Sequence, residues 1–293
     1  MKKLNIILVI GGAGFIGSNL IEELLKRKDI KKIYSYDDYS TGSKQNHFKS
    51  KKLEYIKGST LKINNNIKLK KIKIDFVYHF GEFSRIVPSF DYLDSCWKSN
   101  SEGTFQVLKF CLNKKSKLIY SGSSSTIGKN KNLSPYSWTK YCNNELIKNY
   151  QQWFGLQYVI VYFYNVYGGR QLYKGPMSAV MGIFEDQYKN NKPLTVVKPG
   201  NQIRDFTHVK DIIQGTILAA YKAQNDEFHI GSGKNYSILE IAKLFNHEYV
   251  LVPERKGERF YSLAKNSKAK RVLGYKPKYE LKKYIHEFKK QFK

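Results

Sequence analysis

Tyr136 and Lys140 stand four residues apart, one helical turn, behind a Ser134 that suits a helix cap and a Pro135 that suits a first turn. The chemistry open to such a pair is proton transfer by a phenol. A phenol with an ordinary pKa of about 10 is a poor base at neutral pH, and bringing it to about 7 asks roughly 4 kcal/mol of extra stabilisation of the phenolate. A lysine ammonium one turn away is one source of it. Upstream, the apolar run LIY leads straight into the serine cluster SGSSSTIG, so Ser123 falls at the end of a buried strand, where it can hold the same oxygen that Tyr136 deprotonates. Tyr and Lys at this spacing also describe a solvated helix face with an aromatic anchor, in a chain with 23 tyrosines and 51 lysines plus arginines. The catalytic reading needs a second site, one that brings a redox partner.

The start of the chain has the pattern of such a site. MKKLNIILVIGGAGFIGSNLIEELLKR reads as an apolar strand, glycines at 11, 14 and 17, and a helix with apolar Phe15, Ile16, Leu20, Leu24 and Leu25. Gly11 permits a tight turn, Gly14 lets backbone approach a pyrophosphate, and Gly17 lets the helix lie close to the strand. The pyrophosphate belongs on the free N–H groups at the helix start. A second strand, KKIYSY, delivers Asp37, whose carboxylate can accept hydrogen bonds from an adenosine ribose and repels a 2′-phosphate. The pattern therefore favours NAD over NADP. With a nicotinamide ring present, Tyr136 takes a hydroxyl proton while the adjoining carbon gives up hydride. The glycines inside the apolar run, and the lack of a cleavage pattern, argue against a signal peptide.

These elements must sit on a substantial fold, and 293 residues at 41% apolar content can bury one. No stretch approaches a membrane span, which excludes a helical membrane protein. Cys96, Cys111 and Cys142 have no zinc spacing and read as buried thiols, so no metal and a cytoplasmic location are expected. The net charge of +27 comes from scattered lysine clusters such as KLKKIK and NKKSK, without a basic tail or nucleic-acid module. It reads as a lysine-rich composition whose field would draw in an anionic substrate, and no nucleic-acid partner is expected.

Along the chain, strands and helices alternate: LEYIKGST is a short third strand, IDFVYHF a fourth, and a helix runs from about residue 91 to 113. The helix after Pro135 extends to about Phe154 and ends at Gly155, and LQYVIVYFYNVYGG is a further buried strand. The expected fold is α/β, a Rossmann-type doubly wound parallel sheet with a smaller C-terminal α/β substrate domain. Residues 1–165 form the NAD-binding part, rejoined by about 206–232. Residues 166–293, punctuated by Gly and Pro, are mainly the substrate part.

Seven motifs in order resemble the extended short-chain dehydrogenase/reductase family, specifically its nucleotide-sugar epimerases and dehydratases of the UDP-glucose 4-epimerase kind. They are GGAGFIG, DDYSTGSKQN, HFGEFSRIVPS, SGSSSTIG with SPYSWTK, YFYNVYGGRQ, QIRDFTHVKD and PERKGE. The resemblance implies catalysis by Ser123, Tyr136 and Lys140. It implies NAD contacts from Gly11, Gly14, Phe15, Ile16, Gly17, Asp37, Ser43, Phe80, Gly81, Asn100, Tyr136 and Lys140. It also implies substrate contacts from Glu82, Ser123, Ser124, Asn165, Arg204 and Arg255, and a homodimer built on the helices near Asp91 and Pro135.

The departures from the family pattern sort the reactions. Members that dehydrate carry an Asp-Glu pair after the strand serine, where this chain has Ser124 and Ser125. That loss favours epimerisation at C4 of a nucleotide-linked hexose of the UDP-glucose/UDP-galactose type. Glu82 stands where many relatives have alanine; it is either structural or a replacement base, which keeps a 4,6-dehydratase as the alternative. Ser59 replaces an Asp near the adenine. A non-catalytic NAD-binding regulator is a third reading, with no use for the Ser123, Tyr136 and Lys140 set.

Overall fold

The computed structural model describes residues 4–292; Met1–Lys3, which head the first strand in the sequence reading, and Lys293 lie outside them. Six strands in chain order are β1 (Asn5–Ile10), β2 (Ile30–Asp37), β3 (Leu53–Lys57), β4 (Phe76–His79), β5 (Lys117–Ser123) and β6 (Tyr158–Phe163). With a seventh, Asp226–Ile230, they form one sheet in the order Asp226–Ile230, β6, β5, β4, β1, β2, β3. Every pairing in it is parallel. From β1 the chain first builds outward through β2 and β3, then returns to lay β4, β5 and β6 on the other side. That reversal between β1 and β4 opens a crevice at the strands' carboxyl ends.

The sheet is buried on both faces, and the two-residue period of a strand assigns each side chain. Ile7 and Val9 face one core, shared with Leu20, Leu24, Ile212 and Phe228; Leu8 and Ile10 face the other, with Val107, Phe110, Ile147 and Tyr150. Helix α1 (Phe15–Leu25) and the Val209–Lys222 helix cover the first face. The Gly103–Lys114 and Pro135–Phe154 helices cover the second.

The helix expected over residues 91–113 is broken. It runs as Pro88–Asp91, Leu93–Trp97, a π-helical turn Lys98–Glu102, and Gly103–Lys114. The π turn holds Asn100, whose amide is drawn to a neighbouring loop, as π bulges commonly do at sites of special demand. The long run after Leu156 likewise stops at Phe163 and resumes as a two-residue strand, Val166–Tyr167, paired outside the main sheet with Thr207–His208.

The later part has its own core of Tyr167, Phe184, Val196, Ile241, Phe245 and Ile285. Asp205, fully buried, fastens it to the end of the seventh sheet strand. Its carboxylate accepts from Ser232 N (3.0 Å), Gly233 N (2.9 Å), Ala264 N (3.2 Å) and the hydroxyls of Thr207 (2.9 Å) and Ser232 (2.7 Å). One carboxylate so saturated replaces the packing that an apolar residue would supply there.

Candidate active site

The glycine turn leaves β1 at Gly11, whose φ is +79°, a conformation that disfavours a side chain. A Cβ there would also lie 2.7 Å from Gly81 N, so the ends of β1 and β4 touch. A Cβ on Gly17 would lie 2.1 Å from Gly11 O, which is why α1 can start flush against the strand. Gly14 caps α1 without any side-chain bond to its N–H groups, and Phe15 and Ile16 open the helix. These free N–H groups suit a pyrophosphate.

Asp37 closes the far side of the turn. Ala13 N donates to its Oδ2 at 2.8 Å and Tyr39 N to its Oδ1 at 2.8 Å. Burial nonetheless pushes its carboxyl above the ordinary range, with the two backbone donors pulling the other way. Each oxygen keeps a lone pair for a ribose hydroxyl. Ser43 N donates to Ala13 O at 3.0 Å while its hydroxyl caps a short turn, and Asn46 Nδ2 donates to the same carbonyl at 2.8 Å. A turn in which Gly11 and Gly17 leave no room for a Cβ, facing a braced carboxylate, fits the phosphates and adenosine ribose of NAD.

At the end of β4, Phe80 N donates to Ile10 O at 2.9 Å and Gly81 abuts Gly11. The next residue, Glu82, turns its carboxylate inward. Its Oε1 accepts from Thr104 Oγ1 (2.9 Å), Tyr120 Oη (2.9 Å) and Asn143 Nδ2 (3.0 Å), and its Oε2 meets Lys140 Nζ at 2.5 Å. Lys140 Nζ also donates to Ser121 O at 2.5 Å. Asn100 spends its amide on this loop: its Oδ1 accepts from Phe83 N at 2.8 Å, and its Nδ2 donates to Phe83 O and Thr139 Oγ1, both at 3.1 Å. Buried polar groups are costly unless matched, and Glu82 and Asn100 are fully matched.

The Pro135–Phe154 helix begins as the sequence predicts. Ser137 N donates to Ser134 Oγ at 3.1 Å, Pro135 occupies the first turn, and Gly155 ends the helix in the left-handed conformation. Tyr136 N donates to Ser89 Oγ at 3.2 Å, and its side chain is buried; no hydrogen bond to its phenol oxygen is present among the described residues. At the end of β5, Ser123 Oγ and Ser125 Oγ are 2.8 Å apart.

Two cations that the motifs did not single out act on this phenol through their fields. Arg85 and Arg259 each interact electrostatically with Tyr136. Arg259 is buried and donates from Nη1 to Ser124 Oγ at 3.1 Å; burial, then the like charge of Arg204, brings its guanidinium down to about 10. Arg85 is partly exposed and, among the described residues, bonds only its neighbour, donating from Nη1 to Ser84 O at 2.9 Å and to Ser84 Oγ at 3.5 Å. In PERKGER the motif carries Arg255 alone; the second arginine four residues on is visible in the sequence, but its burial is not.

The expected substrate residues are spread more widely. Arg204 Nη2 pairs with Glu258 at 2.5 Å and its Nη1 donates to Ile203 O at 3.0 Å. Asn165 Nδ2 donates to Asp205 O at 3.1 Å. Arg255 is exposed and lines a shallow crevice with Leu133, Lys198, Gly257 and Phe260. Among the described residues no cluster of His, Cys, Asp or Glu could hold a metal, and no helix is long and apolar enough to cross a membrane.

Residues 7–231 match the family model described as the NAD dependent epimerase/dehydratase family. A putative UDP-glucose 4-epimerase of Methanocaldococcus jannaschii is 29% identical over 95% of this chain and 95% of its own. The UDP-glucose 4-epimerase of Thermotoga maritima, solved with UDP-glucose, superposes with a TM-score of 0.90 at 26% identity, over 98% of this chain and 100% of that one. A UDP-glucuronic acid 4-epimerase of Bacillus cereus, solved with NAD and a fluorinated UDP-glucuronic acid, gives 0.84 at 27% identity, over 98% and 100%.

Proposed function

The chain belongs to the NAD-dependent epimerase/dehydratase family, and from that premise we propose that it inverts C4 of a nucleotide-linked hexose, of the UDP-glucose/UDP-galactose type, through a 4-keto intermediate. One run of contacts carries the proposal. Gly11 touches Gly81, the adjoining Glu82 holds Lys140, and Lys140 bonds the carbonyl of Ser121, two residues before Ser123. The cofactor turn, the serine strand and the tyrosine helix therefore meet at one end of the sheet.

NAD, when bound, supplies a hydride acceptor and then donor at its nicotinamide ring. Tyr136 Oη takes the C4 hydroxyl proton and returns it after the sugar has turned over. Ser123 Oγ holds the same oxygen; its present bond to Ser125 is between rotatable hydroxyls and is readily exchanged. Lys140, fixed by Glu82 and Ser121, orients the helix and the cofactor beside it rather than roaming. Arg204, Arg255 and Asn165 are the proposed grip on the nucleotide diphosphate, where planar guanidinium groups bind two oxygens at once. The excess of cations, +27 over the chain, draws that anion in.

Dehydration needs an acid and a base beside C5, and Ser124 and Ser125 supply neither. Glu82, held by Lys140, Thr104, Tyr120 and Asn143, is a structural anion rather than a free base. We also propose a homodimer. Phe105, Trp153 and Phe154 are 42–60% exposed. They gather around Tyr150 at ring distances of 5.2–6.5 Å, joining two adjacent helices in one aromatic patch.

Incubation with UDP- and GDP-linked hexoses tests the reaction. A product of unchanged mass and inverted C4 supports it; a 4-keto-6-deoxy product lighter by one water overturns it.

A further inference from the structure

Arg85 and Arg259 are the unspent charges of this site. Neither makes an ion pair among the described residues; Glu258, whose carboxylate is spent on Arg204, reaches Arg259 only through its field. The Nε atoms of both are shut off from solvent without a hydrogen-bond partner. Burying a cation without a counter-charge is costly, and leaving its N–H groups unmatched adds to the cost. Such an arrangement is stable when a ligand brings the missing anion.

The two arginines act on one place. Gly257, two residues before Arg259, packs on Ile86, so close that a Cβ on Gly257 would lie 2.9 Å from Ile86 Cγ2. The loop carrying Arg259 is thus docked on the segment carrying Arg85. Both guanidinium groups interact electrostatically with Tyr136, and Arg259 holds the hydroxyl of Ser124, the neighbour of Ser123. If Tyr136 and Ser123 hold the oxygen on C4, the groups within reach of Ser124 are those on the adjoining ring carbons. The diphosphate, on C1, lies across the ring.

We propose that the sugar taken here, in place of the neutral hexose, carries a carboxylate on the ring carbon next to the reacting one: a nucleotide-linked hexuronic acid, its C6 carboxylate bound by Arg259 and Arg85. A carboxylate accepts from two guanidinium groups at once and brings the negative charge that both lack; a neutral C6 hydroxyl can accept hydrogen bonds but offers no counter-charge. The inference rests on the epimerase reading for which oxygen lies at Tyr136, but it concerns binding and is measured without turnover.

The test is calorimetric titration of the NAD-loaded protein with a free nucleoside diphosphate, its neutral hexose and its hexuronic acid. UDP, UDP-glucose and UDP-glucuronic acid form one set; GDP, GDP-mannose and GDP-mannuronic acid replace them if the guanosine set binds more tightly. The acid should bind about tenfold to a hundredfold more tightly than the neutral sugar, the worth of one or two charge-assisted hydrogen bonds. Arg259→Gln should erase that preference while changing the neutral sugar and the bare diphosphate by less than about threefold, and Arg259→Lys should restore part of it. Arg85→Gln, at a partly exposed position, should lower the same preference with the fold intact. Equal binding of acid and neutral sugars by the wild type overturns the proposal. So does an Arg259→Gln loss shared equally by all three ligands, which would make Arg259 a diphosphate clamp. A preference for the acid with no inversion of C4 in either sugar would instead retain the subsite and refute the reaction.

Discussion

Lys140 Nζ lies 2.5 Å from Glu82 Oε2, with the two side chains only 4% and 2% exposed. The ammonium expected to favour a phenolate at Tyr136 is therefore already balanced, whereas Arg85 and Arg259, which interact with that phenol electrostatically, make no ion pair among the described residues. Under the proposed reaction Lys140 is a positioning residue, tied to Glu82 and to the carbonyl of Ser121.

Removing one member of a buried pair strands the other. Glu82→Gln should cost about 3–5 kcal/mol of stability, read as a shift in the urea midpoint, because an amide N–H would then face the ammonium. The double variant Glu82→Met, Lys140→Met should lose markedly less than the sum of the two single losses, since no charge is left unpaired. Additive losses would show that the pair is not coupled.

Gly17→Ala puts a methyl 2.1 Å from Gly11 O, a backbone atom with nowhere to go. The strain should cost about 1–3 kcal/mol or more, and displacement of α1 from the turn should weaken NAD binding in a fluorescence titration. Gly128→Ala, where a Cβ would meet nothing within 4 Å, is a control for local strain at a positive φ away from the turn.

Glu185, 1% exposed, accepts from Gln171 Nε2 at 2.8 Å, and burial pushes its carboxyl up to about 7 against the pull of Tyr284 and Gln171. The unfolded chain loses this proton near about 4.3. Between the two values the folded state binds more protons, so this group's contribution to stability falls as pH rises, and the loss is complete above the folded value. Glu185→Gln should gain on the wild type by up to about 3 kcal/mol between pH 5 and pH 8 in urea unfolding. A difference that stays constant with pH would contradict the raised carboxyl.

Local rules made much of this molecule readable. The glycine turn and the Ser134–Pro135 start depend on neighbours in sequence, and each has its expected geometry; Asp37 was legible from its place at the end of the next strand. Pairings across the fold were out of reach. Glu82 stood out as an acid at a strand end, but its partner is 58 residues away, and Ser124 and Arg259 are 135 apart. The broken helix around Asn100 answers to Phe83 and Thr139, which helical periodicity does not register.

The aromatic patch gives the dimer its test. Trp153→Glu, at a position 59% exposed, should leave the fold and NAD binding unchanged and shift sedimentation from dimer to monomer. A wild type that sediments as a monomer at micromolar concentration would refute the dimer.

The most direct measurement is C4 inversion by Tyr136→Phe, followed by NMR on the nucleotide sugar that the wild type turns over, with bound NAD quantified in the same sample. Loss of the proton acceptor should slow inversion by about a hundredfold to ten-thousandfold while NAD occupancy stays at the wild-type level. Inversion within a few-fold of wild type, with the cofactor in place, would contradict the assignment of Tyr136 as the base.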